Sequence, residues 1–165
     1  MLTKRQKNER YLSMFTFLFG LLMLMTLFIP SAKGERYTFM GLDIVFGDAI
    51  YGPSEAVVVL FSWFNFIVYF LPIIGGIMLV LIDRVMLHES KIKLMISVLP
   101  VLMFIASLVL MFFIPRNTTV MIGDVILQEH IEFYVGPFFA IGFIIAGMFT
   151  SFMYLVQEGK IHQMI

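Results

Sequence analysis

Two aspartates, Asp43 and Asp124, are candidates for binding an ion. They hold equivalent places in two similar stretches of the chain. Two carboxylates related in this way could bind a cation or a basic partner. The alternative is turn chemistry, because an Asp side chain bonds its own backbone and tolerates tight turns, and the sequence favours this second interpretation.

The run from Glu129 to Glu132, which includes His130, could supply metal ligands. On a strand, residues 130 and 132 share a face; on a helix, residues 129 and 132 do. Neither arrangement collects a complete ligand set, so a solvated acidic patch is favoured over a metal site. Cysteine is absent, which excludes disulfides and cysteine-ligated metals. We therefore expect no metal, no cofactor and no enzymatic activity.

The composition is that of an integral membrane protein. Of the 165 residues, 61% are hydrophobic, against about 45–50% in ordinary proteins, and the mean hydropathy is +0.98. Only 13% are charged, about half the usual share. The net charge of zero gives no indication of a nucleic-acid partner, and the length predicts a single domain.

Four apolar runs predict transmembrane helices at about residues 11–29, 56–82, 94–114 and 138–156. Each is long enough to cross about 30 Å of hydrocarbon, or close to it. The first is interpreted as a helix rather than a secretory signal, because no small-residue cleavage site follows it. None of the four runs contains a charged residue. This argues against an ion-coupled transporter, since such proteins usually keep an ionisable group at depth.

A repeat organises the chain. The tripeptide Phe-Ile-Pro at 28–30 recurs at 113–115, and further landmarks (Thr-x-Met, Asp, Gly-Pro) follow both copies in the same order. The sequence therefore predicts an antiparallel bundle built from two helix-hairpin-helix units, at about 11–83 and 94–157. Units with two spans each have the same orientation, and a twofold axis along the membrane normal would relate them.

Each unit contains a polar interval, residues 31–55 and 115–135, that predicts a small extracytoplasmic β-hairpin. In the first, β-prone segments flank a turn at Gly41 to Asp43; in the second, they flank Gly123 and Asp124. Because a lone hairpin is marginal in water, we expect the two hairpins to pair with each other in one sheet, or with a partner. The candidate partner contacts are Tyr37, Phe39, Asp43, Val45, Val120, Ile122, Asp124 and Ile126.

Polar and small residues within the spans could line a pathway or pack helices together. Asn65 could line a pathway, but such a residue more often bonds a neighbouring helix. Pro72, Gly75 and Gly76 interrupt the second span, which could mark a binding site; the break has no counterpart in the fourth span, so a structural kink is favoured. In the fourth span, small residues four apart suit close helix packing, namely Gly142, Ala146, Gly147 and Ser151.

The distribution of basic residues predicts the orientation. Four spans put both termini on one side, and that side holds eight of the 11 Lys and Arg residues. The positive-inside rule therefore places both termini in the cytoplasm. The absence of Cys and the short loops fit a bacterial plasma membrane.

This layout resembles the claudin-type four-helix architecture, in which outer strands form a small sheet above the bundle. The signature of that family's first loop is Trp, then Gly-Leu-Trp, then two Cys. Here Gly41 and Leu42 precede Asp43, and the one Trp, Trp63, lies in a span. The resemblance is therefore topological, and no residue role is carried over from it.

Three functions are compatible with these features. The first is a scaffold or accessory subunit that binds other membrane subunits, or its own copies, through the hairpins and helix faces. The second is a small channel or facilitator with a pathway near Asn65 and the kink at Pro72 to Gly76. The third is a membrane enzyme using interfacial residues such as His88 and His130, whose spacing brings no polar groups together. The first is favoured.

Overall fold

The computed structural model describes residues 4–34, 37–51, 56–85, 91–122, 125–127 and 131–162. Its long helices are α1 (Lys4–Met25), α3 (Trp63–Val85), α4 (Lys91–Met111) and α6 (Val135–His162), and its short helices are α2 (Gly41–Phe46) and α5 (Ile114–Asn117). The strands are β1 (Pro30–Lys33), β2 (Thr38–Met40), β3 (Asp48–Tyr51), β4 (Ala56–Val59), β5 (Val120–Ile122), β6 (Val125–Leu127) and β7 (Glu132–Phe133).

The four long helices form one bundle, in which α1 and α4 each pack against α3 and α6. All four are long and apolar enough to cross a membrane. The prediction of a helical membrane bundle is therefore confirmed at this level. We call the end that carries the strands the sheet end. The other end, where α1 and α4 begin and α3 and α6 finish, is the terminal end.

Small residues let α1 approach α3 closely. A Cβ added to Gly20 would lie 2.7 Å from the Pro72 carbonyl oxygen, and one added to Gly76 would lie 2.6 Å from Phe17 Cα. Hydroxyls join other helix pairs: Thr16 and Thr150 are 2.9 Å apart across α1 and α6, and Ser107 donates to the Val68 carbonyl at 2.7 Å. Small residues and hydroxyls are the usual means of packing helices in lipid, where apolar surfaces gain little from meeting.

The second helix begins later than its apolar run predicts. Residues 56–59, assigned to the span by sequence, form β4, and α3 begins at Trp63. The Ser62 hydroxyl accepts the Asn65 backbone N–H at 3.3 Å, which is the bond of a helix N-cap. The valines of β4 suit a strand paired on both sides, so burial in a sheet competes with burial in lipid.

The first predicted hairpin is wrong in its turn and second strand. Residues 38–40 form β2 within the first predicted strand, but residues 41–46 form α2; the antiparallel pairs in this interval are β1 with β2 and β3 with β4. Asp43 stabilises the first turn of α2, because its carboxylate accepts the Met40 N–H at 2.7 Å. Gly47 ends the helix with φ +83°, a conformation that favours glycine.

The strands form two sheets, and both sheets join the two polar intervals. One has the order β3-β4-β5-β6 and the other β2-β1-β7. In the first, β5 pairs antiparallel with β6, with Ile122 opposite Val125, while the predicted turn at residues 123–124 lies outside the described part of the chain. The two segments that the sequence predicts to be copies differ in structure, since residues 44–46 lie in α2 whereas the corresponding residues 125–127 form β6.

Candidate functional site

Asn65 ties both polar intervals to the bundle at the sheet end. Its side-chain amide, fully buried, donates to the Ile44 carbonyl at 2.8 Å and to the Thr118 hydroxyl at 3.0 Å. Beside it, the Ser62 hydroxyl donates to the Asn117 carbonyl at 3.2 Å. These bonds hold α2 and the end of α5 against the top of α3. Asn65 therefore joins neighbouring elements through its Nδ2 group, while its buried Oδ1 has no hydrogen-bond partner among the described residues.

Three of the predicted partner contacts belong to the core. Phe39, Val45 and Val120 are buried between the sheets and the ends of the helices, because alternate strand residues and the inner face of α2 turn toward the bundle. Tyr37 and Asp43 are partly exposed. The remaining three predicted contacts are Ile122, Asp124 and Ile126, whose side chains lie outside the described part of the structure.

An aromatic cluster is exposed where the sheet meets the bundle, and the sequence did not single it out. Trp63 is 71% exposed, and its ring packs edge-on against Phe61 at 4.9 Å and Phe66 at 5.9 Å between centroids. Phe66 also stacks on Phe70 at 4.2 Å and meets Phe46 edge-on at 6.0 Å. The aromatic spacing of residues 61–70 contains this signal, but the same residues also fit an apolar membrane span.

Edges of both sheets are open among the residues that the structure describes. In the larger sheet, β3 pairs only with β4 and β6 only with β5; in the smaller one, β2 and β7 each pair with β1 alone. An open edge presents unpaired backbone groups that a strand of another chain can complete. Asp48, at the start of edge strand β3, is exposed, and a charge there limits unselective pairing.

The environment of Asp43 raises the pKa of its carboxyl group. Partial burial raises the pKa of Asp43 above its ordinary value of 3.8, the bond from the Met40 N–H lowers it, and the nearby Asp48 carboxylate raises it further. Asp43 thus bonds the backbone at the start of α2, and not in the hairpin turn that the sequence predicted. Its predicted equivalent, Asp124, lies outside the described residues.

The small and kink-forming residues divide into packed and open ones. Pro72, Gly75 and Gly76 are buried in α3, and Gly76 and Gly147 leave no room for a side chain, Gly147 because the Phe104 ring lies against it. Ser151 is buried and donates to the Met148 carbonyl of its own helix at 2.9 Å. Gly142 is the open one: outside its own helix, no described atom lies within 4 Å of a Cβ added there.

Charged residues from all four long helices meet at the terminal end. Lys93 of α4 and Glu158 of α6 form an ion pair, and both side chains are 0% exposed. Asp83 of α3 is buried, lies 4.0 Å from the Arg10 guanidinium of α1, and accepts a long hydrogen bond of 3.5 Å from the Tyr154 hydroxyl. We call these five residues, with the buried Glu9, the terminal cluster.

Sequence reasoning missed the terminal cluster because it placed these charges just outside the spans. Arg10, Asp83 and Lys93 are each one residue beyond a predicted span, yet the helices continue past them. The apolar runs contain no charged residue, but the interior of the bundle that they form does contain charged side chains. The signal available was the opposite charges at corresponding ends of helices that must be neighbours.

Of the residues singled out for metal or enzyme chemistry, Glu132 lies in the part of the chain that the structure describes. Glu132 is exposed on β7, while His88, Glu129 and His130 lie outside the described part of the chain. The chain matches no protein-family model, no curated protein and no solved structure, so its own geometry is the basis for the function proposed next.

Proposed function

We propose that this chain is a non-enzymatic scaffold or accessory subunit that binds another membrane protein through its sheet end. The observation that carries the proposal is that both long intervals fold into sheets anchored to the bundle. Residues 26–62 and 112–134 separate the long helices at this end, against residues 86–90 at the other. Both are far longer than the median connection of about 4–6 residues, and each contributes strands to both sheets.

The binding surface is the aromatic cluster and the adjacent open edge of β3. Exposed Trp and Phe side chains held rigidly by neighbours bury a large apolar area at little entropic cost, and Trp is enriched among residues that dominate interface energies. Trp63, Phe61 and Phe46 meet this description. In our proposal a strand of the partner completes the sheet at β3 while its membrane segment packs on these rings.

The proposed orientation follows the positive-inside rule, with the sheet end outside and both termini in the cytoplasm of a bacterial plasma membrane. Partners are then other integral membrane subunits or a second copy of the chain, with the lipid bilayer around them. The tandem repeat is retained in this proposal as the origin of the four-helix arrangement, in which α1 lies diagonal to α4 and α3 to α6.

Site-specific photocrosslinking in the native membrane tests the proposal. A photoreactive residue replaces Tyr37, Phe46 or Phe61 at the sheet end, and matched control chains carry it at lipid-exposed positions Ile105 or Phe149. We expect an adduct of one defined mass from the sheet-end positions and none from the controls. The mass distinguishes a second copy from a different subunit. Adducts from no sheet-end position, or the same adducts from the controls, would contradict the proposal.

A channel or facilitator near Asn65 has weaker support. The Asn65 amide donates to Ile44 and Thr118, and α3 at Gly76 is in backbone contact with Phe17. A pathway there would require these contacts to separate. Flux through vesicles containing the pure protein, lost on replacing Asn65 by Leu without loss of folding, would favour the channel instead.

A further inference from the structure

A groove between α1 and α3 opens to the lipid-facing surface near the terminal end. It has a volume of about 450 Å³ and is lined by Tyr11, Met14, Phe15, Leu18 and Val80, with Arg84 as its charged residue. Tyr11, Met14, Phe15 and Leu18 are exposed in the isolated chain, so the groove has no cover from described residues. Tyr11 and Leu18 are about 10 Å apart along the helix axis, against roughly 15 Å for one leaflet of hydrocarbon.

Charge is segregated around this groove. The acids of the terminal cluster (Glu9, Asp83 and Glu158) are buried inside the bundle. Among the described residues of this end, the exposed charges are cations: Lys7, Arg84 and the half-exposed Arg10. Arg84 makes no ion pair with any described residue. Among the side chains that the structure describes, the exposed charge at this end is therefore positive, although the chain as a whole has no net charge.

We propose that this groove is a binding site for an anionic phospholipid, with one acyl chain along α1 and the headgroup phosphate on Arg84. The apolar walls match a hydrocarbon chain, and a guanidinium at the membrane interface can bond phosphate through two N–H groups. Basic residues between helices at the cytoplasmic interface are a common means of binding anionic lipids. The site is independent of the partner surface, which lies at the opposite end.

Fluorescence quenching by brominated lipids measures occupancy of the groove directly. Because Trp63 is the one Trp in the sequence, the reporter chain carries Trp63→Phe and Leu18→Trp. It is placed in vesicles of dioleoylphosphatidylcholine with a minor fraction of brominated phosphatidylglycerol or, in parallel, brominated phosphatidylcholine. We expect phosphatidylglycerol to be preferred about fivefold, since one basic residue near the surface contributes about 1 kcal/mol.

Three controls separate a site from a diffuse surface potential. Arg84→Gln should reduce the preference to about one, and Arg84 is exposed enough that the chain should fold normally. Lys7→Gln removes an equal charge outside the groove and should leave most of the preference. A reporter at Phe149, exposed on α6, should show no preference.

Two results would overturn the proposal. One is equal quenching by the two brominated lipids at position 18, which would mean that the groove holds ordinary boundary lipid. The other is an equal loss of preference in Arg84→Gln and Lys7→Gln, which would assign the effect to general attraction of anionic lipid. Neither result bears on crosslinking at the sheet end, so failure of this proposal and failure of the proposed function are distinguishable.

Discussion

The two ends of the bundle are held together by different interactions. At the terminal end, residues 86–90 are the whole connection between α3 and α4, and side-chain charges meet in the interior. At the sheet end, long intervals supply backbone ladders and neutral hydrogen bonds such as those of Asn65. A buried charge is strongly destabilising when its partner is removed, whereas a ladder distributes its bonds over many groups. The terminal end should therefore be the more sensitive to single substitutions.

The largest expected effect is at Lys93. Lys93→Met leaves Glu158 buried without its cation, which typically destabilises by about 3–5 kcal/mol. The free energy of unfolding in mixed detergent micelles measures the loss. The double variant Lys93→Met with Glu158→Met should recover most of it, because apolar residues of similar volume often replace a buried pair without loss. If Lys93→Met alone were as stable as the double variant, the terminal end would not be the more sensitive end of the bundle.

A substitution in the middle of the bundle should affect both ends alike. In Gly76→Ala the new Cβ meets the Phe17 backbone at 2.6 Å, so α1 and α3 must separate, at about 1–3 kcal/mol. Gly142→Ala is the matched control, because open space surrounds that position. The midpoint of thermal unfolding is measured for the two variants. Equal midpoints would show that α1 and α3 are not in close backbone contact at Gly76.

Asn65→Leu should weaken the sheet end alone. The Ile44 carbonyl and the Thr118 hydroxyl lose their donor, with an expected loss of about 1–2 kcal/mol. Hydrogen exchange should become faster in α2, β4 and β5, and remain unchanged near Lys93 and Glu158. Faster exchange at both ends would mean that the two ends unfold as one cooperative unit, and would contradict the difference between them.

The smallest effect is the pH dependence at Asp43. Its pKa is raised in the folded chain above 3.8, so folding favours the protonated form. The contribution of Asp43 to stability is therefore greatest below pH 3.8 and is lost as pH rises through the higher folded value. Asp43→Asn keeps an acceptor for the Met40 N–H and should remove this dependence on pH. The free energy of unfolding of both chains is measured between pH 3 and 6. The same pH dependence with and without Asp43→Asn would contradict this assignment.

Hydropathy was sufficient to predict four helices, since a long apolar run has few alternatives to crossing a membrane. It could not predict where the helices end. Lys93 and Glu158 are tolerated inside the bundle because each neutralises the other. The hydropathy of one segment cannot predict this, since the partner lies on another helix. Likewise residues 56–59 are as apolar as the helix that follows, and only pairing with β3 and β5 makes them a strand.

The candidate site was harder to predict than the fold. The turn at Gly41 to Asp43 looked like a hairpin because Gly and Asp favour turns and helix starts alike. Phe39, Val45 and Val120 were assigned to a partner surface because alternation identifies two faces of a strand without saying which is buried. Packing between the sheets and the helix ends decided that choice.

The order of the strands has a consequence for assembly in the membrane. The first half of the chain can form the β1–β2 and β3–β4 pairs by itself, but β4–β5 and β1–β7 wait for strands that follow α4. Contacts between residues far apart in sequence form late. During synthesis, the first helix pair therefore reaches the membrane with the partner-free edges of β1 and β4 exposed, and insertion of α4 and α6 closes both. A chain stalled after α3 should be a target for quality-control proteases, whereas the finished chain should not.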